Sequence, residues 1–215
     1  MPNDLASKWI EECGDLVHEP TVRKEICPHI KPGDVVVDAG AYLGAHTKAY
    51  LEAVGRTGKV IAFEPNPEAF KCLFHNCPSA ECHNEGLGRG KFEKRRRYDG
   101  QPDNYGASYW KWESLPEHNG AKVFGPLDFW GLPRLNFLKI DVEGMECDVI
   151  AGAAKTLFRC RPIIYIELNR LALSRFGTNQ RTLVSMIEML DYRLQFMHPE
   201  HNLDCAEINV FFFPK

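Results

Sequence analysis

The chain has 215 residues, of which 44% are hydrophobic and 26% are charged, and its formal net charge is −3. This length suits one domain with a sizeable core, and the small charge argues against nucleic acid or a membrane as partner. No stretch approaches the roughly 18 apolar residues of a membrane helix, and the polar start MPNDLASKWIEEC lacks the layout of a secretion signal, so we expect a cytoplasmic protein.

The cysteines allow two interpretations, free thiols or a zinc site. In a reducing compartment the eight of them are expected to be free thiols. The run CLFHNCPSAECH could also be read as a zinc site, with ligands drawn from Cys72, His75, Cys77, Cys82 and His83. It contains no C-x-x-C pair, so packing thiols are the favoured interpretation.

The first half of the chain alternates strand and helix patterns. Residues 4–30 contain two short helical patterns, which form an N-terminal extension over residues 1–30. Val35–Val37 is a β-branched run typical of a strand covered on both faces of a parallel sheet. A helix then runs to Gly55, because residues of its apolar side recur at helical spacing: Leu43, Thr47, Leu51 and Val54. Lys59–Glu64 is predicted as the second strand and Glu81–Leu87 as the third, and Asn66-Pro67 between them is a good helix start.

Residues 88–126 look like an insertion between the third and fourth strands. It holds a basic strand-like piece, a polar loop at residues 104–108 that could line a pocket, and the sequence WKW. Arg95–Arg97 could bind phosphate, but such a run is more often the solvated face of an edge strand. Two of its tryptophans and one that follows it could form an aromatic substrate wall or pack in the core: Trp110, Trp112 and Trp130.

The second half continues the alternation and then closes with two strands. Residues 135–141 and 162–167 are predicted strands, and a helix lies between them with Met145, Val149, Ala153 and Leu157 on one side. Another helix carries Leu183, Ile187 and Leu190, and the last two strands cover residues 193–197 and 208–213. This pattern predicts an α/β fold with a mostly parallel sheet, helices on both faces and a C-terminal antiparallel hairpin, in one domain over residues 1–215.

The glycine loop after the first strand is the main functional signal. It reads Asp38-Ala39-Gly40-Ala41-Tyr42-Leu43-Gly44, with two glycines where a dinucleotide fingerprint has three, and no G-K-[ST] of a phosphate loop. An acidic residue here would repel a pyrophosphate, but it suits a ligand that has an ammonium and a sulfonium group. S-adenosylmethionine (SAM) has both, and Glu64 could take its ribose hydroxyls.

Several segments of the chain resemble a known family of enzymes. The chain resembles class I SAM-dependent methyltransferases of the FkbM type in VVDAGAYLGAHT (Val36–Thr47), VIAFEPNPEAF (Val60–Phe70) and LNFLKIDVEGMECDVIAGA (Leu135–Ala153), with RPIIYIE (Arg161–Glu167) following. It implies a Rossmann-like seven-stranded sheet and methyl transfer to a hydroxyl, often on a sugar or natural product. Tyr42 stands where the family tends to have Asn, a position used mainly through its backbone. The N-terminal region, where substrate recognition often lies, gives no clear match.

The expected site lies at the carboxyl ends of the strands, near the switch in strand order. Asn84, Glu85 and Leu87 follow the third strand, where this fold usually contacts adenine. The complete set expected to bind SAM is Asp38, Gly40, Tyr42, Leu43, Gly44, Thr47, Glu64, Asn66, Glu85 and Leu87.

The expected catalytic residues are Asp141, Lys139 and Glu167. Asp141 would act as general base or orient the acceptor, and Lys139, two residues earlier on the same face, would position it or merely anchor the strand with it. Glu146 is interpreted as an acid that meets its helix dipole, and Glu143 is left undecided.

A metal-dependent variant of the site is less favoured. Asp141, Glu167 and Asn169 could hold Mg²⁺, a layout similar to that of catechol-type methyltransferases. His198 and His201 lie in a loop between the last two strands, with two alternatives: that it reaches the site or that it is solvated.

Three functions stay open at this point. The first is O-methylation of a hydroxyl on a small molecule or glycan. The others are a non-catalytic SAM-binding or interaction module and, less favoured, a nicotinamide-dependent oxidoreductase. Partners are expected to be the acceptor alone, without nucleic acid or membrane, and a homodimer is possible.

Overall fold

The structure, a computed structural model, describes residues 21–89, 93–98, 109–112 and 122–215. Its strands are β1 (Val35–Ala39), β2 (Lys59–Phe63), β3 (Glu81–His83), β4 (Gly86–Leu87), β5 (Glu93–Tyr98), β6 (Tyr109–Trp112), β7 (Lys122–Gly125), β8 (Phe137–Ile140), β9 (Ile163–Asn169), β10 (Tyr192–Phe196) and β11 (Glu207–Pro214). Its helices are α1 (Ala45–Val54), α2 (Pro67–Asn76), α3 (Glu146–Gly152), α4 (Ala154–Cys160), α5 (Arg170–Ser174) and α6 (Gln180–Glu188). Short helical turns lie at Val22–Ile26, Cys27–His29, Gly55–Thr57 and Leu127–Trp130.

The main sheet confirms the predicted architecture. Its seven strands have the order β10-β11-β9-β8-β1-β2-β3. The five strands from β9 to β3 are parallel, and β11 runs antiparallel to both β9 and β10. The chain proceeds from β1 toward β2 on one side and from β8 toward β9 on the other. The strand order therefore switches between β1 and β8, which is where ligands bind in open α/β sheets.

Both faces of this sheet are covered, as the apolar run at the first strand predicts. Val36 packs with Tyr50 of α1 on one face, whereas Val37 packs with Leu138 and with residues of α3, α4 and α6 on the other. Adjacent side chains of a strand point to opposite faces, so each strand contributes to two cores. The sheet is rigid at its centre, and its carboxyl ends can hold side chains in fixed positions.

The predicted third strand is wrong in extent. The main sheet keeps only Glu81–His83, and Gly86–Leu87 joins a separate four-stranded sheet in the order β4-β7-β5-β6. At Gly86 a Cβ atom would lie 2.0 Å from the Phe124 ring, so this strand depends on a close approach to β7 that local sequence does not reveal.

Other predictions also need correction. Arg95–Arg97 lie in β5, which is bonded on both sides by β7 and β6 and is not an edge strand. The helix predicted across Met145–Leu157 is two helices that meet at Ala153. Residues 1–20, the loop at 104–108 and the side chains of Trp110 and Trp112 lie outside what the structure describes. In the described ranges, no helix is long and apolar enough to cross a membrane.

Candidate active site

The glycine loop turns sharply at the end of β1. Gly40 has φ +80°, and a Cβ there would lie 1.8 Å from the backbone oxygen of Asp141. Gly44 has φ +94°, and its Cβ would lie 2.8 Å from the Cys77 sulfur. Tyr42 has φ +49°, a left-handed conformation in which Asn is enriched.

Glu64 ties the glycine loop to the end of β2. Its Oε2 accepts a hydrogen bond of 2.9 Å from the backbone N–H of Tyr42, and its Oε1 accepts one of 2.7 Å from the N–H of Asn66. Burial raises the pKa of Glu64 to about 7, although these two hydrogen bonds oppose the shift. A carboxylate offers about four acceptor positions. Two therefore remain for hydroxyl donors such as those of a ribose.

Asn66 confirms the predicted start of α2. Its side-chain oxygen accepts a 3.0 Å hydrogen bond from the N–H of Glu68, and Pro67 is the first helical residue. Asn84 supports the same corner, because its side-chain nitrogen donates to the Glu64 carbonyl at 2.8 Å. Glu85 next to it is half-buried, whereas Leu87 is buried in the core.

Asp38, Thr47 and Lys139 form a buried polar network beneath the loop. The Thr47 hydroxyl donates to Asp38 Oδ2 at 2.6 Å, and Lys139 Nζ lies 3.2 Å from Asp38 Oδ1. Lys139 also donates to the Gly40 carbonyl at 2.6 Å. Burial lowers the pKa of Lys139, but the charges of Asp38 and Asp141 outweigh it and the net shift is upward. Thr47 and Leu43 are themselves buried, so they shape the loop from below.

Asp141 lies where the sequence places it, just after β8. Its Oδ2 is 3.5 Å from Lys139 Nζ, and 40% of its side chain is exposed, against 3% for Lys139. The predicted pairing of these two residues is therefore present. Lys139 also contacts Asp38, so it positions both carboxylates at the switch point.

Further carboxylates follow on the same edge of the sheet. Glu167 of β9 lies on the strand next to β8, and burial together with the charges of Asp141 and Glu207 raises its pKa far above the usual range. Burial and the charge of Asp141 raise the pKa of Glu143 to about 8. Burial also raises the pKa of Glu146 to about 7. Asp141, Glu143 and Glu167 thus form an acidic wall at the carboxyl ends of β8 and β9, and Glu207 at the amino end of the antiparallel β11 lies beside it.

Asn169 is engaged in ways that do not suit the magnesium alternative. Its side-chain oxygen accepts from the N–H of Ala172 at 3.0 Å and caps α5, while its nitrogen donates to Glu207 at 2.7 Å. The side-chain oxygen of Asn169, which would bind Mg²⁺ in that alternative, is used as a helix cap. Within the described ranges, no group of three His, Cys, Asp or Glu side chains is arranged to hold a metal ion.

The same holds for the zinc alternative. The Cys77 thiol donates to the Gly44 carbonyl at 3.4 Å, and Cys82 donates to the Cys77 carbonyl at 3.9 Å. His83 stacks on Phe63, with ring centroids 5.2 Å apart, and Trp130 packs edge-on against both rings. These cysteines contribute to packing, and Trp130 is partly buried and packs against the core.

The loop histidines lie near the N-terminal turn. The Nε2 atom of His198 is 3.8 Å from Glu25, and its ring meets that of His201 edge-on at 4.9 Å. These contacts link the loop between β10 and β11 to the turn at Val22–Ile26.

Comparison with known proteins agrees with this geometry. Residues 123–197 match the family model described as the methyltransferase FkbM domain. The chain is similar to the 2-O-methyltransferase NoeI of Sinorhizobium fredii, with 25% identity over 87% of this chain and 86% of that protein. It is also similar to Methyltransferase 1 of Beauveria bassiana, with 29% identity over 54% of this chain and 57% of that one.

Solved structures show the same fold. The FkbM methyltransferase of Methylobacillus flagellatus aligns with a TM-score of 0.53 and 17% identity over 86% of this chain. This chain spans 44% of that protein's length. A TehB-like methyltransferase of Corynebacterium glutamicum aligns with a TM-score of 0.58 and 12% identity, over 98% of this chain and 95% of that one.

Residues 123–197 thus match an FkbM methyltransferase domain, and the chain has the fold of these solved methyltransferases. The matched residues 123–197 contain Lys139, Asp141 and Glu167, so the family match covers the acidic side of the site. The glycine loop and Glu64 lie outside that match, and their assignment to SAM depends on their geometry.

The glycine loop and Glu64 fit the SAM cofactor that the resemblance to FkbM-type methyltransferases implies. Gly40 lets the loop pack directly on the Asp141 backbone, and Glu64 has acceptor positions to spare. Both lie at the carboxyl ends of β1 and β2, on the side of the switch point where a nucleoside binds in this fold.

The sequence does not reveal the backbone contacts of Glu146, and it leaves Glu143 undecided. Glu146 is 2% exposed, and its Oε1 accepts from the N–H groups of Val142 at 3.3 Å and Gly144 at 3.1 Å. These hydrogen bonds are with the turn before α3, so Glu146 binds the backbone of that turn in addition to meeting the helix dipole. The spacing D-x-E-G-x-E carries a signal, since three acids in six residues beside a buried strand are costly unless they are used.

Proposed function

We propose that this methyltransferase transfers the methyl group of SAM to a hydroxyl group of a small molecule or glycan. The main support for this proposal is the acidic wall of Asp141, Glu143 and Glu167, which adjoins the glycine loop at the switch point. A hydroxyl is a poor nucleophile near neutral pH, and a carboxylate at the reacting oxygen can orient it and accept its proton. The similarity to a 2-O-methyltransferase supports oxygen as the acceptor atom.

The chain's own residues would divide the work between binding and orientation. Glu64 would accept hydrogen bonds from the ribose hydroxyls, and the backbone around Gly40 would line the cofactor. Asn84 and Glu85 would border the adenine, whereas Leu87, which the sequence also suggested there, is buried in the core. SAM supplies an electrophilic methyl group when bound, and Asp141, held by Lys139, would orient the acceptor toward it.

Product analysis tests the proposal directly. The purified protein is incubated with SAM and a panel of methyl glycosides, oligosaccharides, catechols and primary amines. We expect S-adenosylhomocysteine (SAH) to form only with hydroxyl compounds, and mass spectrometry to locate the new methyl group on oxygen. A methyl group found on nitrogen would contradict the proposal.

Two variants sharpen this test. We expect Asp141→Asn to lose most turnover while it still binds SAM, since its role is orientation of the acceptor. Glu188→Gln, an exposed acid on α6, is the control and should match the wild type. Thermal unfolding with SAM, SAH, NAD and NADP checks the cofactor, because a ligand at about 100 times its Kd adds roughly 2.7 kcal/mol to the folded state.

A further inference from the structure

The turn after β8 holds Glu143 in an unusual backbone conformation. Glu143 has φ +56°, in the left-handed region that is unfavourable for a non-glycine residue. Gly144 follows with φ +106°, and a Cβ there would lie 2.3 Å from the Ala172 carbonyl of α5. The turn is therefore pressed against its neighbour and fixed. Such strain is concentrated at functional sites in proteins.

Glu146 is the residue that holds this turn. Its Oε1 accepts the N–H of Val142 and of Gly144, so the backbone is bonded on both sides of Glu143. The other oxygen, Oε2, is buried and has no hydrogen-bond partner among the described residues. A buried carboxylate with one unsatisfied oxygen is costly. Its position is understandable if it serves to aim the side chain of Glu143.

The surroundings of Glu143 suit a group that takes up a proton. Only 23% of its side chain is exposed, and its nearest cationic group, Arg175 Nη1, lies 4.0 Å from Oε2. Arg175 also lies over the Tyr109 ring of β6, with the guanidinium carbon 4.9 Å from the ring centroid. The charged groups that act on Glu143 or are acted on by it come from its own turn and from three neighbouring segments: Asp141, Glu146, Glu167, Arg175 and Glu207.

Asp141 differs from Glu143 in its partner. The ammonium group of Lys139 lies 3.5 Å from Asp141, inside the network that also holds Asp38. Among the described residues, Glu143 pairs only with Arg175, at 4.0 Å, and burial together with its acidic neighbours raises its pKa to about 8. Two carboxylates whose environments differ in this way commonly have different roles in one reaction.

We propose that Glu143 is the catalytic base of the proposed O-methyl transfer and that Glu146 is its positioning residue. As the acceptor oxygen forms its bond to the methyl carbon, the carboxylate of Glu143 takes the hydroxyl proton. The carbon–sulfur bond breaks and its electron pair stays on sulfur. The products are the methyl ether, SAH and protonated Glu143, which returns its proton to water.

If Glu143 is the base, its carboxylate must lie close to the sulfur of SAM. This distance can be tested without knowing the methyl acceptor. Reacting atoms lie about 3–3.5 Å apart, and a base lies about 2.6–3.2 Å from the oxygen it deprotonates. The carboxylate must therefore come within roughly 8 Å of the sulfur. That sulfur is positively charged in SAM and neutral in SAH. At such a distance, an ionised Glu143 should favour SAM over SAH by on the order of tenfold.

The experiment measures the Kd of SAM and of SAH by calorimetry at pH 6 and pH 8.5. In the wild type, we expect the preference for SAM to rise on the order of tenfold between these values, as Glu143 loses its proton. In Glu143→Gln the preference at pH 8.5 should be about tenfold lower than in the wild type. Glu143→Asp keeps the charge and should retain a rise with pH. Glu188→Gln should behave as the wild type.

Each other outcome overturns the assignment. If Glu143→Gln keeps the wild-type ratio of the two Kd values at pH 8.5, Glu143 lies too far from sulfur to act as base. If Glu167→Gln removes the preference and Glu143→Gln does not, the role belongs to Glu167. For Glu146, we expect Glu146→Gln to shift the pH at which the preference rises, and an unchanged pH profile would remove its positioning role. A methyl group found on nitrogen would refute the proposed function without altering this result.

Discussion

Removal of the Lys139 ammonium group should destabilise the protein strongly. Lys139 is 3% exposed and lies 3.2 Å from Asp38, which is fully buried. In Lys139→Met, Asp38 keeps only the Thr47 hydroxyl as a hydrogen-bond partner among the contacts described above. Loss of one partner from a buried ion pair costs about 3–5 kcal/mol. For a protein of this size that corresponds to a fall in Tm of roughly 6–20 °C.

Urea unfolding followed by circular dichroism, together with thermal unfolding, measures this loss. Lys59→Met is the matched control, because Lys59 pairs with Glu81 at 2.5 Å but both side chains are largely exposed, at 51% and 38%. An exposed pair contributes about 0–1 kcal/mol. The double variant Asp38→Asn with Lys139→Met should recover part of the stability, since it removes the uncompensated charge. If Lys139→Met lowers the free energy of unfolding no more than Lys59→Met does, charge pairing does not stabilise the buried network.

Three further predictions concern the loop and the buried acids. Gly40→Ala should weaken SAM binding at least about tenfold, because its Cβ would lie 1.8 Å from the Asp141 carbonyl and because φ is +80°. Calorimetry measures the Kd, and an unchanged Kd would show that the loop relaxes freely. Glu64→Gln should weaken SAM and SAH equally, since the ribose is common to both, and a selective loss of one would contradict a ribose contact. Glu146→Gln should flatten the pH dependence of stability. Its folded pKa of about 7 lies above the usual 4.5, so its contribution is fully present below about pH 4.5 and is lost as pH rises toward 7. The variant should remove at most about 3 kcal/mol of that fall in the free energy of unfolding, and an unaltered slope in urea titrations at pH 5, 6 and 7 would show that Glu146 does not titrate in this range.

The parts of the fold that sequence predicts are those fixed by local chemistry. The β-branched run at Val35–Val37 predicts a covered strand, and Asn66-Pro67 predicts a helix start, because each depends on a few adjacent residues. The glycine loop is predictable for the same reason. Gly40 and Gly44 are required by the turn itself, although the atoms they approach belong to Asp141 and Cys77.

The parts that sequence does not predict depend on distant partners. Gly86 leaves the main sheet because Phe124, 38 positions along the chain, packs against it. Arg95–Arg97 become a central strand because β6 and β7 bond to both sides of it. The role of Glu146 is hidden for another reason: helix position suggests a dipole contact, whereas burial and two backbone hydrogen bonds become visible only in three dimensions.

The position of β11 has a consequence for biosynthesis. This strand is the last of the main sheet in sequence, but it lies between β9 and β10 and is bonded to both. Until residues 207–214 have left the ribosome, β10 has no place to dock and the outer edge of β9 is open. The order of synthesis therefore delays completion of the sheet beside Glu167 until all its other strands exist. A ribosome that stalls before residue 207 would leave an exposed strand edge, which is a template for aggregation and a target for quality control.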